Sequence, residues 1–184
     1  KILAVSNEAE NHIVGTILPR PTETNQCLKL QNTQSYTVSD FHQSELYGDE
    51  YTYIYHAPVK KWEDLNTNVG GIALVFDSKP EFIAMLKETE PKYLNDEINK
   101  TTFSVYINRD GKVISSTHPD VKTDSLLNIP TEVLSAPNGE NDTIAWQWNN
   151  TTYLVGYKVS NGYREYKNGD GYSNDVIALV LTGI

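Results

Sequence analysis

Apolar and polar residues alternate along several stretches of the chain, and the period changes from two to roughly 3.6 at one point in the middle. Phe103, Val105 and Ile107 alternate with Ser104, Tyr106 and Asn108, the period of a half-buried strand. Asn108-Arg109-Asp110-Gly111 follows, and Asp-Gly supplies the positive φ of a tight hairpin, so a second strand is predicted from Lys112 to about Thr117. Pro119 to Ala136, with prolines and short apolar clusters, reads as a turn and short helices. Ile144-Ala145-Trp146-Gln147-Trp148, an Asn149-Asn150 turn and a strand from Tyr153 to Val159 come next. On that strand Tyr153, Val155, Tyr157 and Val159 share one face. Val176 to Leu181 is apolar on both faces, which predicts a central strand.

The first half follows a looser version of this order. Ile2–Val5 and Ile13–Leu18 are read as an opening hairpin, Gln26–Leu30 as a short strand and Val38–Leu46 as a short helix. Strands at Tyr51–Val59 and Gly71–Phe76 then follow. The helical period falls between the halves. Ser78 with Glu81 three residues on forms a capping box, Pro80 is tolerated in the first turn, and Phe82, Ile83, Met85 and Leu86 supply an apolar stripe that Pro91 ends.

The two halves repeat each other. Gly71-Ile72-Ala73-Leu74-Val75-Phe76 is echoed by Val176-Ile177-Ala178-Leu179-Val180-Leu181, and the tyrosine-rich strand at Tyr53 is echoed at Tyr153. The spacing, about 100 residues, is too long for a solenoid unit and predicts two copies of a small α/β module. The boundary falls near residue 98. Residues 1–98 form a first module with a connector helix over 79–90, and residues 99–184 form a second.

Composition narrows the function. The 184 residues are 39% hydrophobic, enough for a packed core, and the net charge of −9 disfavours nucleic-acid and anionic-membrane partners. Cys27 is the sole cysteine, so no intrachain disulfide exists, and with no histidine beside it in sequence it reads as a small buried residue. Asn-x-Ser/Thr triplets begin at Asn99, Asn141, Asn149 and Asn150 and matter only in a glycosylating host. The longest apolar run, about six residues, is far short of a membrane span. No signal peptide is recognisable. The chain opens on Lys1 and its one methionine is Met85, which reads as a piece of a longer protein.

No catalytic signature emerges. His12, His42, His56 and His118 are scattered without metal-ligand spacing, and neither a nucleophile elbow nor a phosphate loop is present. Asn168-Gly169-Asp170-Gly171 faintly suggests a calcium loop, but Tyr172 stands where an oxygen ligand is needed and no glutamate closes it. Neither metal nor cofactor is expected.

Gly70-Gly71-Ile72-Ala73-Leu74-Val75-Phe76-Asp77-Ser78, Gly162-Tyr163-Arg164-Glu165-Tyr166-Lys167 and Asp170-Gly171-Tyr172-Ser173-Asn174-Asp175-Val176-Ile177-Ala178-Leu179-Val180 resemble Cache-type sensor domains. These are PAS-like modules of bacterial chemoreceptors and histidine kinases, and the resemblance is nearest to the double-Cache kind tied to chemotaxis. It covers most of the chain from about Tyr51 onward. It implies an α+β fold of two PAS-like modules, each an antiparallel sheet of about five strands with short helices. It also implies small-molecule sensing without enzymatic activity, an output domain in the parent chain and an extracytoplasmic, periplasmic location; a homodimer is an open option. Two departures stand out: the long N-terminal helix of double-Cache domains is absent, and the first module lacks the Arg-x-Trp-Tyr motif of amino-acid binders.

The candidate ligand residues cluster from Tyr153 to Asp175. Tyr157, Tyr163, Tyr166 and Tyr172 offer apolar surface with a hydroxyl, Arg164 suits a carboxylate, and Asp175 suits an amine or hydroxyl. The competing reading is that the tyrosines serve the sheet and Arg164 pairs with Asp170 or Asp175. In the first module Tyr53, Tyr55, Trp62 and Asp77 hold comparable places, with Asp77 read chiefly as a partner of the helix N-terminus. Trp146 and Trp148 read as packing residues. The competing function is a ligand-free structural or dimerisation module.

Overall fold

Strand β10 (Ile177–Gly183) occupies the middle of a five-stranded antiparallel sheet, as its two-faced apolar sequence requires. The computed structural model describes residues 1–18, 20–32, 34–90, 101–161 and 176–184. They divide into two compact units, Lys1–Phe76 and Asp77–Ile184.

In the second unit the sheet runs β7-β6-β10-β9-β8, with β6 Thr102–Ile107, β7 Val113–Ser116, β8 Asn141–Trp148 and β9 Thr151–Val159. Its core joins alternate residues of three strands: Phe103, Val105 and Ile107; Val155 and Val159; Ile177, Leu179 and Leu181. Val133, on the short helix α3 (Thr131–Leu134), packs onto this face. Trp146 and Trp148 stack at 6.2 Å and lie partly buried against the core, so they are packing residues.

Two turns set the register. Asn108 Oδ1 accepts the amides of Asp110 and Lys112, both at 2.9 Å, and Gly111 takes φ +76°. An added Cβ there would come within 3.0 Å of the Leu127 carbonyl oxygen, so glycine is required on two counts. The β8–β9 hairpin closes through Asn149 and Asn150 at φ 48° and 62°, a two-residue turn with both central residues left-handed.

Helix α2 (Ser78–Thr89) belongs to the second unit, where it packs on β6 and β7. Leu86 is buried, and Phe82 meets Tyr106 edge-on at 5.9 Å. Sequence attaches this helix to the first half as a connector; its contacts group it with the second. The N-cap is Asp77 rather than Ser78, which is fully buried inside the first turn. The capping-box geometry read from Ser78 and Glu81 therefore does not form.

The first unit holds a three-stranded antiparallel sheet, β1-β4-β5, and a two-stranded one, β2-β3. Strand β4 (Ile54–Lys61) pairs along β5 (Asp64–Val75), with β1 (Thr37–Val38) on its other side. β2 (His42–Ser44) pairs with β3 (Glu50–Thr52). Three expectations fail in this unit. The opening hairpin is replaced by a 3₁₀ helix at Glu8–Ile13 capped by Asn7, although Ile2 still exchanges hydrogen bonds with Gly15 and Thr16. The strand expected at Gln26–Leu30 is the end of helix α1 (Pro21–Cys27) and its exit turn, because Pro21 favours a helical first turn. The helix expected over Val38–Leu46 is short strand pieces and a 3₁₀ turn, closed at Gly48 in the left-handed region.

Candidate functional site

Backbone alternation along β4 decides which side chains enclose space in the first unit. Ile54 and His56 fall on one face and are buried at 3% and 5% exposure. With buried Ser44 of β2 they floor a cavity of about 230 Å³. Leu18, Thr24, His42 and Leu46 wall it, and Arg20, Gln43 and Glu45 are exposed at its mouth. At about 30 Å³ per liquid water, the space equals roughly eight waters, the size of a small metabolite.

Hydrogen bonds define what the lining can offer. His42 Nδ1 lies 2.7 Å from the carbonyl oxygen of Asp40 and donates to it, which leaves Nε2 as the ring atom available to the cavity. Ser44 Oγ accepts the Leu46 amide at 3.2 Å and retains its own proton to donate. Thr24 Oγ1 is shut off from solvent and makes no hydrogen bond among the described residues. Arg20 and Glu45 add one exposed residue of each charge to the lining. The lining thus combines an apolar patch with a few convergent polar groups, the usual make-up of a small-molecule site.

Of the ten residues proposed from sequence, Tyr163, Arg164, Tyr166, Tyr172 and Asp175 lie outside the described residues. Tyr157 is in the core of the second unit. Desolvation, then the nearby Glu140, Asp142 and Glu132 carboxylates, push its phenol pKa up. Tyr55 occupies a β4 position on the face opposite Ile54 and His56, and buried Tyr53 lies between β3 and β4. Tyr53 packs on Phe41 at 5.1 Å, and Tyr55 lies 6.1 Å from Tyr36 and 6.5 Å from Phe76. Trp62 sits in the β4–β5 turn at 93% exposure. Asp77 is the N-cap of α2, though its side chain makes no capping hydrogen bond to that helix.

The cavity residues had weak signals. His42 and His56 alternate with other residues in strands and share no ligand spacing, while Arg20 caps and Thr24 lies within a proline-started helix that the sequence reading does not find. Among the described residues no group of three or more His, Cys, Asp or Glu could hold a metal.

No protein-family profile and no curated protein matches the sequence. Solved structures do match the backbone. An extracellular ligand binding receptor from Desulfohalobium retbaense aligns with 97% of this chain and 27% of its own, at TM-score 0.62 and 11% identity. The periplasmic sensory domain of the Campylobacter jejuni chemoreceptor Tlp1 aligns with 88% of this chain and 54% of its own, at TM-score 0.57 and 14% identity. The fold is that of bacterial extracellular sensory domains. The ligand-binding domain of C. jejuni chemoreceptor Tlp3, solved with 4-methylisoleucine, adds a third example: 87% of this chain, 51% of that one, TM-score 0.55 and 12% identity. The sensory-domain fold agrees with the resemblance to Cache-type sensors, and the chain spans about half or less of each of these proteins. No helix among the described residues is long and apolar enough to cross a membrane.

Proposed function

We propose that the chain is a small-molecule-sensing module of a bacterial signal-transduction protein, with the first-unit cavity as its ligand site. The observation that carries this reading is a cleft with polar and apolar lining, open to solvent on one side, within a sensory-domain fold. Opposite charges at the mouth suit a zwitterion, Arg20 for a carboxylate and Glu45 for an ammonium. The double-Cache arrangement of two PAS-like modules is part of the proposal. So are an extracytoplasmic location, an output domain elsewhere in the parent chain and the lack of enzymatic activity.

Ligand binding signals only through a difference in affinity between two conformations. A bound ligand at about 100-fold over its Kd should add roughly 2.7 kcal/mol of apparent stability. Thermal-shift screening with amino acids, organic acids, amines and purines therefore tests the reading. Failure of every compound to raise the melting temperature would overturn it. The second reading, a ligand-free structural or dimerisation module, is favoured by the exposed apolar residues of β5, among them Ile72 at 64% and Leu74 at 57%.

A further inference from the structure

We propose that the open edge of β5 is a docking site for a β-hairpin supplied by the polypeptide that precedes Lys1 in the parent chain. Strands β5 and β10 are two copies of one sequence, with Ile72 and Leu74 at the places of Ile177 and Leu179. Their pairing on one side is the same. Leu74 stands opposite Tyr55 of β4 and Val75 opposite Ile54, as Leu179 stands opposite Tyr157 of β9 and Val180 opposite Gly156. The other side differs. There β10 is paired with β6, and β6 in turn with β7, whereas β5 is the last strand of its sheet among the described residues. Exposure follows that difference: Ile177 and Leu179 stand at 0% and 1%, Ile72 and Leu74 at 64% and 57%.

The second unit shows what chemistry the edge fits. An antiparallel strand turns half its amides and carbonyls toward each neighbour, so β5 presents one unpaired set along Leu65–Val75, a stretch without charge or proline. β6 answers the equivalent set of β10 and places Val105 opposite Leu179 and Ile107 opposite Ile177. The matching occupant is an extended segment with apolar residues at alternate positions, two of them facing Leu74 and Ile72, joined by a turn to a second strand. Chain order gives its source. β6 and β7 precede β8, β9 and β10, with the short helix α3 between. β1 answers β8, since Val38 pairs with Tyr55 as Asp142 pairs with Tyr157. Ahead of β1 lie the 3₁₀ helix Glu8–Ile13 and α1, with no strand among the described residues. The place of the hairpin in that order falls before Lys1.

The test compares the 184-residue chain with the same chain extended through the residues that precede Lys1 in its parent. Hydrogen exchange read amide by amide should find every second amide of β5, the set turned away from β4, at least about 100-fold slower in the extended chain. Ile72→Lys gives an independent reading. It should leave the melting temperature of the 184-residue chain unchanged, because that side chain meets water. In the extended chain it should lower the melting temperature by at least about 5 °C, because the ammonium is desolvated there. Outward amides that exchange equally fast in both chains overturn the proposal, as does an equal effect of Ile72→Lys in both. Protection that rises with concentration in step with a dimer seen by light scattering overturns it in favour of a second copy on this edge. No ligand enters these readouts, so the sensing proposal stands or falls separately.

Discussion

Arg109 ties the β6–β7 turn to the segment after α3, and removing it should cost the second unit a measurable share of its stability. Nη1 donates to the carbonyl oxygens of Leu134 at 2.9 Å and Ala136 at 2.6 Å, and Nη2 donates to Asn138 Oδ1 at 2.5 Å. All three bonds are part-buried. Hydrogen bonds to a charged group contribute about 1.5–3 kcal/mol each, but the freed carbonyls regain water in part, so Arg109→Ala should lose about 2–4 kcal/mol. For a unit of this size that lowers the melting temperature by on the order of 10–20 °C. Arg109→Lys should recover little, because a single ammonium cannot span a planar fork of acceptors. Urea denaturation followed by Trp146 and Trp148 fluorescence gives the free energy, and hydrogen exchange over residues 131–138 localises the loss. A change below about 0.5 kcal/mol, or full recovery by lysine, would refute the clamp.

Leu179→Ala, at the centre of the five-stranded sheet and 1% exposed, should destabilise the second unit by about 2–5 kcal/mol in chemical denaturation. Trp62→Ser should leave the melting temperature and any ligand response unchanged, since the ring is exposed; a loss of binding would place it at the site. Burial pushes the Cys27 thiol pKa up, so native protein should react slowly with alkylating agents near neutral pH and quickly once unfolded. Because the folded pKa is raised, the linked stability is intact below the ordinary thiol range and falls as pH rises through the folded value, which melting curves across alkaline pH would register. The Asp64 carboxylate is held below its usual range, chiefly by the Thr67 hydroxyl and then the Asn66 amide. Its contribution is present above the unfolded pKa and lost as pH falls, so Asp64→Asn should flatten the acid limb of the β4–β5 turn's exchange profile.

The second unit was largely legible because its signals are local and agree with one another. Alternation in Phe103–Ile107 and Tyr153–Val159, the Gly111 turn and the paired asparagines each specify a strand or hairpin without long-range information. In the first unit the strands expected at Tyr51–Val59 and Gly71–Phe76 are present in β3, β4 and β5, but the segments before Tyr51 were misread, for identifiable reasons. Ile2–Val5 has strand composition, yet only Ile2 exchanges backbone hydrogen bonds, with Gly15 and Thr16, and no longer ladder forms there among the described residues. In Val38–Leu46 a helical spacing of apolar residues competes with Ser39, whose hydroxyl accepts the Ile54 amide at 2.8 Å across the chain, and tertiary pairing wins. The cavity was missed because its members come from α1, β2 and β4, and nothing in sequence spacing brings Arg20, His42 and His56 together. The tyrosines were legible as aromatic residues, but Tyr55 falls on the β4 face opposite Ile54 and His56, and Tyr53, between β3 and β4, packs on Phe41, so neither lines the cavity.

Strand β5 carries a consequence for anyone handling this protein. It is the last strand of its sheet, it holds no charge and no proline from Leu65 to Val75, and Leu65, Val69, Ile72 and Leu74 are all more than half exposed. Natural borders of this kind are ordinarily blunted by lysine, proline or a covering segment. Concentrated samples should therefore gel or form fibres that bind thioflavin, and a single lysine at Ile72 should restore clear solutions without altering the fold.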